Sequence, residues 1–361
     1  MLEVAAIVAA IPVAEARVPD DLRNAWSAYL RVYVQADGRV KDPSSADATT
    51  SEGQAYGMMR AVWMGDRETF DRLLAWTREN LQAGDSTRLP AWKWGVHPTG
   101  EWDVLDAQPA ADADQWMAWA LIVAARQWGE PDYRRQALAL ISRVWEDETA
   151  LVGNRRVVLP GPWARGKDPV QLNPSYWLPC AWRDFAAIDA THDWTALIDD
   201  AYAVWAQTAT PSGLPPDWVW VDGGSGRRVP PPAGEQAKEN FGFEAFRIGW
   251  TLAAEVRWFD EPRARALLEP FRELEPRWRK DGRVPGVILP SGGGAVDWEY
   301  PGMYGALVPA WAVDDPFAAN CLYRQELRPR RAAHGWGDAA DYYGQNWVWM
   351  GIALWRGVGS P

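Results

Sequence analysis

Three stretches of the sequence set a carboxyl side chain at the mouth of an apolar run. Glu52 stands in Ser51-Glu52-Gly53-Gln54-Ala55-Tyr56-Gly57, Asp112 and Asp114 in Ala110-Ala111-Asp112-Ala113-Asp114, and Glu244 in Phe241-Gly242-Phe243-Glu244-Ala245-Phe246-Arg247. One such acid is explained by capping and the helix dipole, which favour Asp or Glu in a first turn. Three of them, each opening an interior helix, converge on one cavity, where an acid needs a partner or a task. Two opposed carboxyl groups in an aromatic-walled cleft suit glycoside hydrolysis. One is held protonated to donate to the leaving oxygen, and the other is ionised to activate water or attack carbon. The chain has 26 Trp in 361 residues, and indoles both pack cores and stack on the flat faces of sugar rings.

Rival chemistries find no support. There is no Gly-x-Ser-x-Gly elbow, no phosphate-binding Gly-Lys-Ser/Thr loop and no dinucleotide fingerprint. The histidines (His97, His192, His334) and cysteines (Cys180, Cys321) are scattered without metal-ligand spacing, so no metal or other cofactor is expected. Both cysteines lie beside apolar residues and read as buried thiols. The glycine-rich Gly223-Gly224-Ser225-Gly226 and Ser291-Gly292-Gly293-Gly294 do not link a strand to a helix and read as plain turns. A net charge of −11 argues against nucleic acid, which needs clustered positive charge. No apolar run is long enough to span a membrane. Residues 4–14 are apolar and lead into Ala14-Glu15-Ala16, the form of a signal cleavage site, although Glu3 stands where positive charge is usual. Residues 1–17 are therefore set apart as signal-like, and a secreted or periplasmic location is expected.

The elements that must carry the acids read as helices of two alternating kinds. Twelve are expected, at residues 20–33, 54–64, 67–83, 113–128, 131–148, 175–188, 194–208, 241–258, 261–279, 302–313, 316–326 and 339–356. Residues 67–83 carry Arg67, Glu68, Asp71, Arg72, Arg78 and Glu79 on one face and belong at the surface, whereas residues 116–125 are apolar all round and belong inside. Inner helix, outer helix, repeated six times, is an all-α (α/α)6 barrel. A solenoid of helix pairs would show a fixed period, and none is present. Long connections at 85–112, 150–174, 211–240 and 279–301 carry the functional weight, and three of the four lead directly into an inner helix. The expectation is one domain over residues 18–361 with a cleft across one rim.

The stretch from Ala110 to Leu121 closely resembles the signature of glycoside hydrolase family 8, and Thr50-Ser51-Glu52-Gly53-Gln54-Ala55-Tyr56-Gly57-Met58 resembles that family's general-acid segment. Leu89-Pro90-Ala91-Trp92-Lys93-Trp94-Gly95 and Trp102-Asp103-Val104-Leu105-Asp106 are similar to the branch of periplasmic cellulases that accompany bacterial cellulose synthases. Leu172-Asn173-Pro174-Ser175-Tyr176, Pro216-Asp217-Trp218-Val219 and Asp341-Tyr342-Tyr343 extend the resemblance over nearly the whole chain. It implies an inverting endo-acting hydrolase of β-1,4-linked glycans, cellulose or a cellulose-like exopolysaccharide, monomeric, without a metal, and linked in function to an exopolysaccharide synthase. Glu52 would be the general acid and Asp112 would hold the sugar at the point of cleavage. Tyr56, Trp94, Asp114, Trp116, Tyr176, Asp217, Arg247 and Tyr343 would bind substrate.

The sequence departs from the family pattern at the base. The cellulase branch has aromatic-Asp-Ala-x-x-Arg, and here the acid is Glu244, followed by Ala245 and Arg247. Inverting carboxyls stand ~6.5–9.5 Å apart to admit water, and a longer side chain narrows that gap unless it retracts. Glu244 is the favoured base, with Glu239, Asp297 and Glu299 as the alternatives. Xylan, mixed-linkage glucan or chitosan as polymer, and a glycan-binding protein with a decayed site, remain the competing readings.

Overall fold

A computed structural model describes residues 18–359, so the signal-like residues 1–17 lie outside the described part. Inner helices α2 (Ser51–Met64), α4 (Ala111–Trp128), α6 (Pro179–Ile188), α8 (Phe246–Phe259), α12 (Pro301–Ala312) and α14 (Tyr342–Arg356) pack in sequence order, and α14 closes the ring against α2. An apolar helix surface all round leaves burial as the stable arrangement, and these six supply a large share of the core, including Trp116, Trp119, Trp250, Trp347 and Trp349. The outer layer is α1 (Asp20–Tyr33), α3 (Arg67–Asn80), α5 (Pro131–Glu148), α7 (Trp194–Thr208), a broken helix, and α13 (Pro316–Leu322). Each lies against an inner neighbour, which gives the expected (α/α)6 barrel.

Local chemistry sets the boundaries. The side chains of Thr50, Asp66, Asp193 and Asp341 accept backbone N–H bonds at the starts of α2, α3, α7 and α14. The expected helix at 261–279 is instead three pieces, α9 (Pro262–Leu267), α10 (Glu269–Arg272) and α11 (Leu274–Asp281). Pro270 and Pro276 each lack an N–H and sit in a first turn, so each piece restarts where a proline can be accommodated. Between α12 and α14 the backbones touch: a Cβ on Gly351 would lie 1.8 Å from the Gly305 carbonyl oxygen.

All four long connections lead to inner helices, and the first three contain short strands that sparse strand signals did not announce. β1 (Thr49–Thr50), β2 (Lys93–Val96) and β3 (Trp102–Asp106) form an antiparallel sheet that ties the start of α2 to the connection feeding α4. β4 (Thr149–Val152) and β5 (Arg155–Val158) make a hairpin. β6 (Val170–Leu172), β7 (Val219–Val221) and β8 (Arg228–Val229) form a second three-stranded sheet, with Leu172 paired to Val219. That register brings the residues just after β6 beside those just before β7. The turn Gly223–Gly226 joins β7 to β8 as a plain turn, as expected.

Candidate active site

Glu52 is held by the second residue of α2, Asp112 by the second residue of α4, and Glu244 by the residues leading into α8. The barrel brings all three to one guanidinium. Arg247 Nη1 donates to Asp112 Oδ2 at 2.9 Å and to Glu52 Oε2 at 3.3 Å, and Nη2 donates to Glu244 Oε2. Ser175 Oγ accepts from Nη2 at 2.7 Å and from Nε at 3.1 Å, and the Tyr176 ring lies 5.1 Å from the guanidinium carbon. Arg247 is 2% exposed, so the cation is fixed by its partners and not by solvent.

Three acids around one cation cannot all lose their protons in a buried site at small cost. Burial, and then the charge of Asp112, push Glu52 up to about 8, while Arg247 pulls the other way. Glu52 is thus a carboxylic acid at neutral pH, as a proton donor must be. Its Oε1 accepts from the Tyr342 hydroxyl at 3.1 Å, and Tyr342 in turn lies 3.0 Å from Thr50 Oγ1. The Tyr56 hydroxyl is 3.3 Å from Glu52 Oε2. Burial also raises Asp112, partly offset by Arg247 and by the Ala113 N–H at 2.8 Å. Glu244 is more open, with its side chain 29% exposed, and Asn173 Nδ2 donates to its Oε2 at 3.0 Å. Arg247 and Asn173 thus place two donors on one Glu244 oxygen.

The alternatives for the base lie elsewhere. Glu239 is paired with Arg228 at 2.7 Å, Glu299 with Arg330, and Asp297 is exposed on its loop. Glu244 is the acid that joins Glu52 and Asp112 on Arg247. Its carboxylate pairs with Arg247, three residues further along the chain.

Several residues expected to touch substrate do something else. Asp114 is fully buried near Glu148, at the end of α5, and neither carboxyl has a hydrogen-bond partner among the described residues. Trp116 is 2% exposed and packs with Tyr56, Trp119, Trp250 and Trp347, because a helix apolar on every side turns this face inward too. Asp217 binds the backbone before α8 through its Oδ1. Tyr56 and Arg247 are buried behind the acids and hold them in place. Trp94, Tyr176 and Tyr343 are half-buried, and the Tyr343 hydroxyl donates to the Phe243 carbonyl at 2.8 Å. Cys180 is buried as expected, whereas Cys321 is only half-buried; neither is in a disulfide.

Sequence reasoning missed Asn173, Ser175 and Tyr342, all in stretches singled out for other reasons. It also missed Phe243 and Trp298, whose rings lie 5.8 Å apart and are 42% and 43% exposed beside Glu244. Large exposed aromatics in a long connection were the available signal.

An (α/α)6 barrel whose mouth gathers a raised-pKa acid and a second, accessible carboxylate around one fixed cation has the parts that glycosidic cleavage needs. A family model described as "Glycosyl hydrolases family 8" matches residues 4–357. The chain belongs to glycoside hydrolase family 8. An endoglucanase of Escherichia coli (strain K12) is 32% identical over 335 residues, covering 90% of this chain and 86% of that protein. Among solved structures, the endo-1,4-D-glucanase from Vibrio fischeri ES114 has a TM-score of 0.78 at 27% identity and covers 91% of this chain and 93% of its own. A reducing-end-xylose releasing exo-oligoxylanase has a TM-score of 0.76 at 19% identity over 97% of this chain and 96% of its own, a likeness of fold alone.

Proposed function

We propose that this protein is an inverting endo-β-1,4-glucanase acting on cellulose or a cellulose-like exopolysaccharide. The convergence of Glu52, Asp112 and Glu244 on Arg247 carries the reading. Glu52 donates its proton to the leaving glycosidic oxygen as that bond breaks. Water adds to the anomeric carbon from the opposite face while Glu244 takes its proton, so the new hydroxyl has inverted configuration. Asp112 holds a hydroxyl of the sugar at the point of cleavage. The proton gained by Glu244 returns to Glu52 through solvent. The relatives named as endoglucanases support the polymer, and exposed Trp102, Phe243 and Trp298 offer faces for sugar rings. A polymer of this size is met outside the cytoplasm, so the reading includes export.

Reducing-end release from carboxymethylcellulose, xylan and chitosan tests it. Wild type is expected to act on carboxymethylcellulose first, Glu52→Gln and Glu244→Ala to lose activity, and Glu244→Asp to keep or raise it. Equal, negligible release by wild type and Glu52→Gln from every polymer would sink the hydrolase assignment of these residues. A wild-type preference for xylan or chitosan would move the substrate.

A further inference from the structure

We propose that Asp217 is a positioning residue for the reaction, fixing the backbone from which Glu244 reaches the cleft; the proposal rests on the reading of Glu244 as base. Asp217 Oδ1 accepts three backbone N–H bonds, from Gly242 at 2.9 Å, Glu244 at 3.0 Å and Ala245 at 2.7 Å. These donors belong to the turn that leads into α8 and ends at its cap residue Ala245, whereas the first-turn N–H groups of Phe246, Arg247 and Ile248 bond the carbonyls of Gly242, Glu244 and Ala245, so the turn's own amides need an acceptor from elsewhere. The acceptor therefore comes from a segment 25 to 28 residues earlier in the chain.

Asp217 is itself anchored. Its N–H bonds Asn240 O at 2.7 Å, and it immediately precedes Trp218 and β7 in the sheet whose first strand delivers Asn173. Leu172 pairs with Val219, so one pair of strands supplies both the amide on the Glu244 carboxylate and the carboxylate on the Glu244 backbone. Gly242 leaves room for this: a Cβ there would lie 2.8 Å from Asp217 Oδ2.

The arrangement answers a specific problem. A glutamate has one more rotatable bond than the aspartate of the family pattern, and its carboxylate is less well fixed for the same backbone. Arg247 and Asn173 hold the tip, and Asp217 holds the root. A misplaced root displaces the water-activating oxygen, and a misplacement of ~1 Å costs on the order of 100-fold in rate.

The test is steady-state hydrolysis of carboxymethylcellulose by Asp217→Ala, Asp217→Asn, Gly242→Ala, Glu244→Ala and the double variant Asp217→Ala/Glu244→Ala, each checked by thermal melting. Asp217→Ala is expected to lower kcat on the order of 100-fold with KM within about twofold. Asp217→Asn keeps an oxygen for the three donors and should restore most of kcat. Gly242→Ala, which crowds the carboxylate without removing it, should lower kcat in the same direction. In the Glu244→Ala background, loss of Asp217 should cost nothing more. Wild-type kcat in Asp217→Ala beside an inactive Glu244→Ala would overturn this proposal and leave the base assignment standing. A raised KM at unchanged kcat would make Asp217 a substrate contact and overturn it equally. Full activity in Glu244→Ala would instead remove the base reading itself.

Discussion

The carboxyl group of Glu52 and the guanidinium of Arg247 lie 3.3 Å apart, yet burial keeps the acid protonated up to about pH 8. Desolvation outweighs the neighbouring cation because Asp112 and Glu244 draw on the same charge. A donor with this pKa works through neutral pH, and kcat/KM should fall as pH rises through about 8. Glu52→Gln removes the proton and is expected to cost roughly 10²- to 10⁴-fold in rate. Stability follows the same shift. The native pKa lies above the ordinary 4.5, so this group's contribution is complete below that value and is lost as pH rises to about 8. Glu52→Gln should therefore melt like wild type at pH 4 and higher than wild type at pH 8. Equal melting points at both would contradict the buried, protonated acid.

In the proposed reaction Tyr342 would stabilise the conjugate base left after Glu52 gives up its proton. Its hydroxyl donates to Oε1 and favours the ionised form, lowering the Glu52 pKa. Tyr342→Phe should shift the alkaline limb of kcat/KM to higher pH and reduce kcat about tenfold, the scale of one hydrogen bond to a charged group. An alkaline limb that stays in place or moves down would show that Tyr342 does not act on Glu52.

Arg247 occupies the centre of the acid cluster, where a metal-dependent hydrolase would put its ion. Among the described residues no group of three or more His, Cys, Asp and Glu is arranged to hold a metal ion. A chelator should leave the rate unchanged; a loss restored by Ca²⁺ would count against the two-carboxylate chemistry. Arg247→Met, by contrast, leaves three acids without their cation. It is expected to destabilise the fold by about 3–5 kcal/mol and to drive the alkaline limb upward, since Arg247 lowers the Glu52 pKa.

What could be read in the sequence was whatever depends on near neighbours. Helices α1, α5 and α7 begin and end at the expected residues, α5 and α7 behind capping side chains and α1 with acids in its first turn. The acids at helix mouths were visible for the same reason. The strands were not, since each is two to five residues long and too short to show alternation. The outer helix at 261–279 kept an amphipathic pattern across Pro270 and Pro276, and the prolines prevailed. The surroundings of Asp114 and Asp217 were not legible because their neighbours are remote in sequence: Glu148 for one, the backbone of residues 242 to 245 for the other. Trp116 shows the reverse error. The all-round apolar pattern of its helix already called for burial, and the resemblance drew it into the cleft.

Asp114 and Glu148 provide the clearest test of that correction. Both are fully buried and close enough to interact, and none of their carboxyl oxygens has a hydrogen-bond partner among the described residues. Burial, together with a neighbouring acid, raises both far above their ordinary values of 3.8 and 4.5, so the native pair retains a proton. The sign follows from linkage: folding holds protons that the unfolded chain has released, so the pair's contribution is complete below about pH 4 and declines as pH rises. Each retained proton costs about 1.4 kcal/mol per pH unit until the native group titrates. Asp114→Asn supplies an N–H donor that needs no proton. Its melting point should match wild type near pH 4 and exceed it increasingly from pH 6 to 9, with KM for carboxymethylcellulose unchanged. Parallel melting curves would refute the retained proton, and a KM raised tenfold or more would return Asp114 to the substrate.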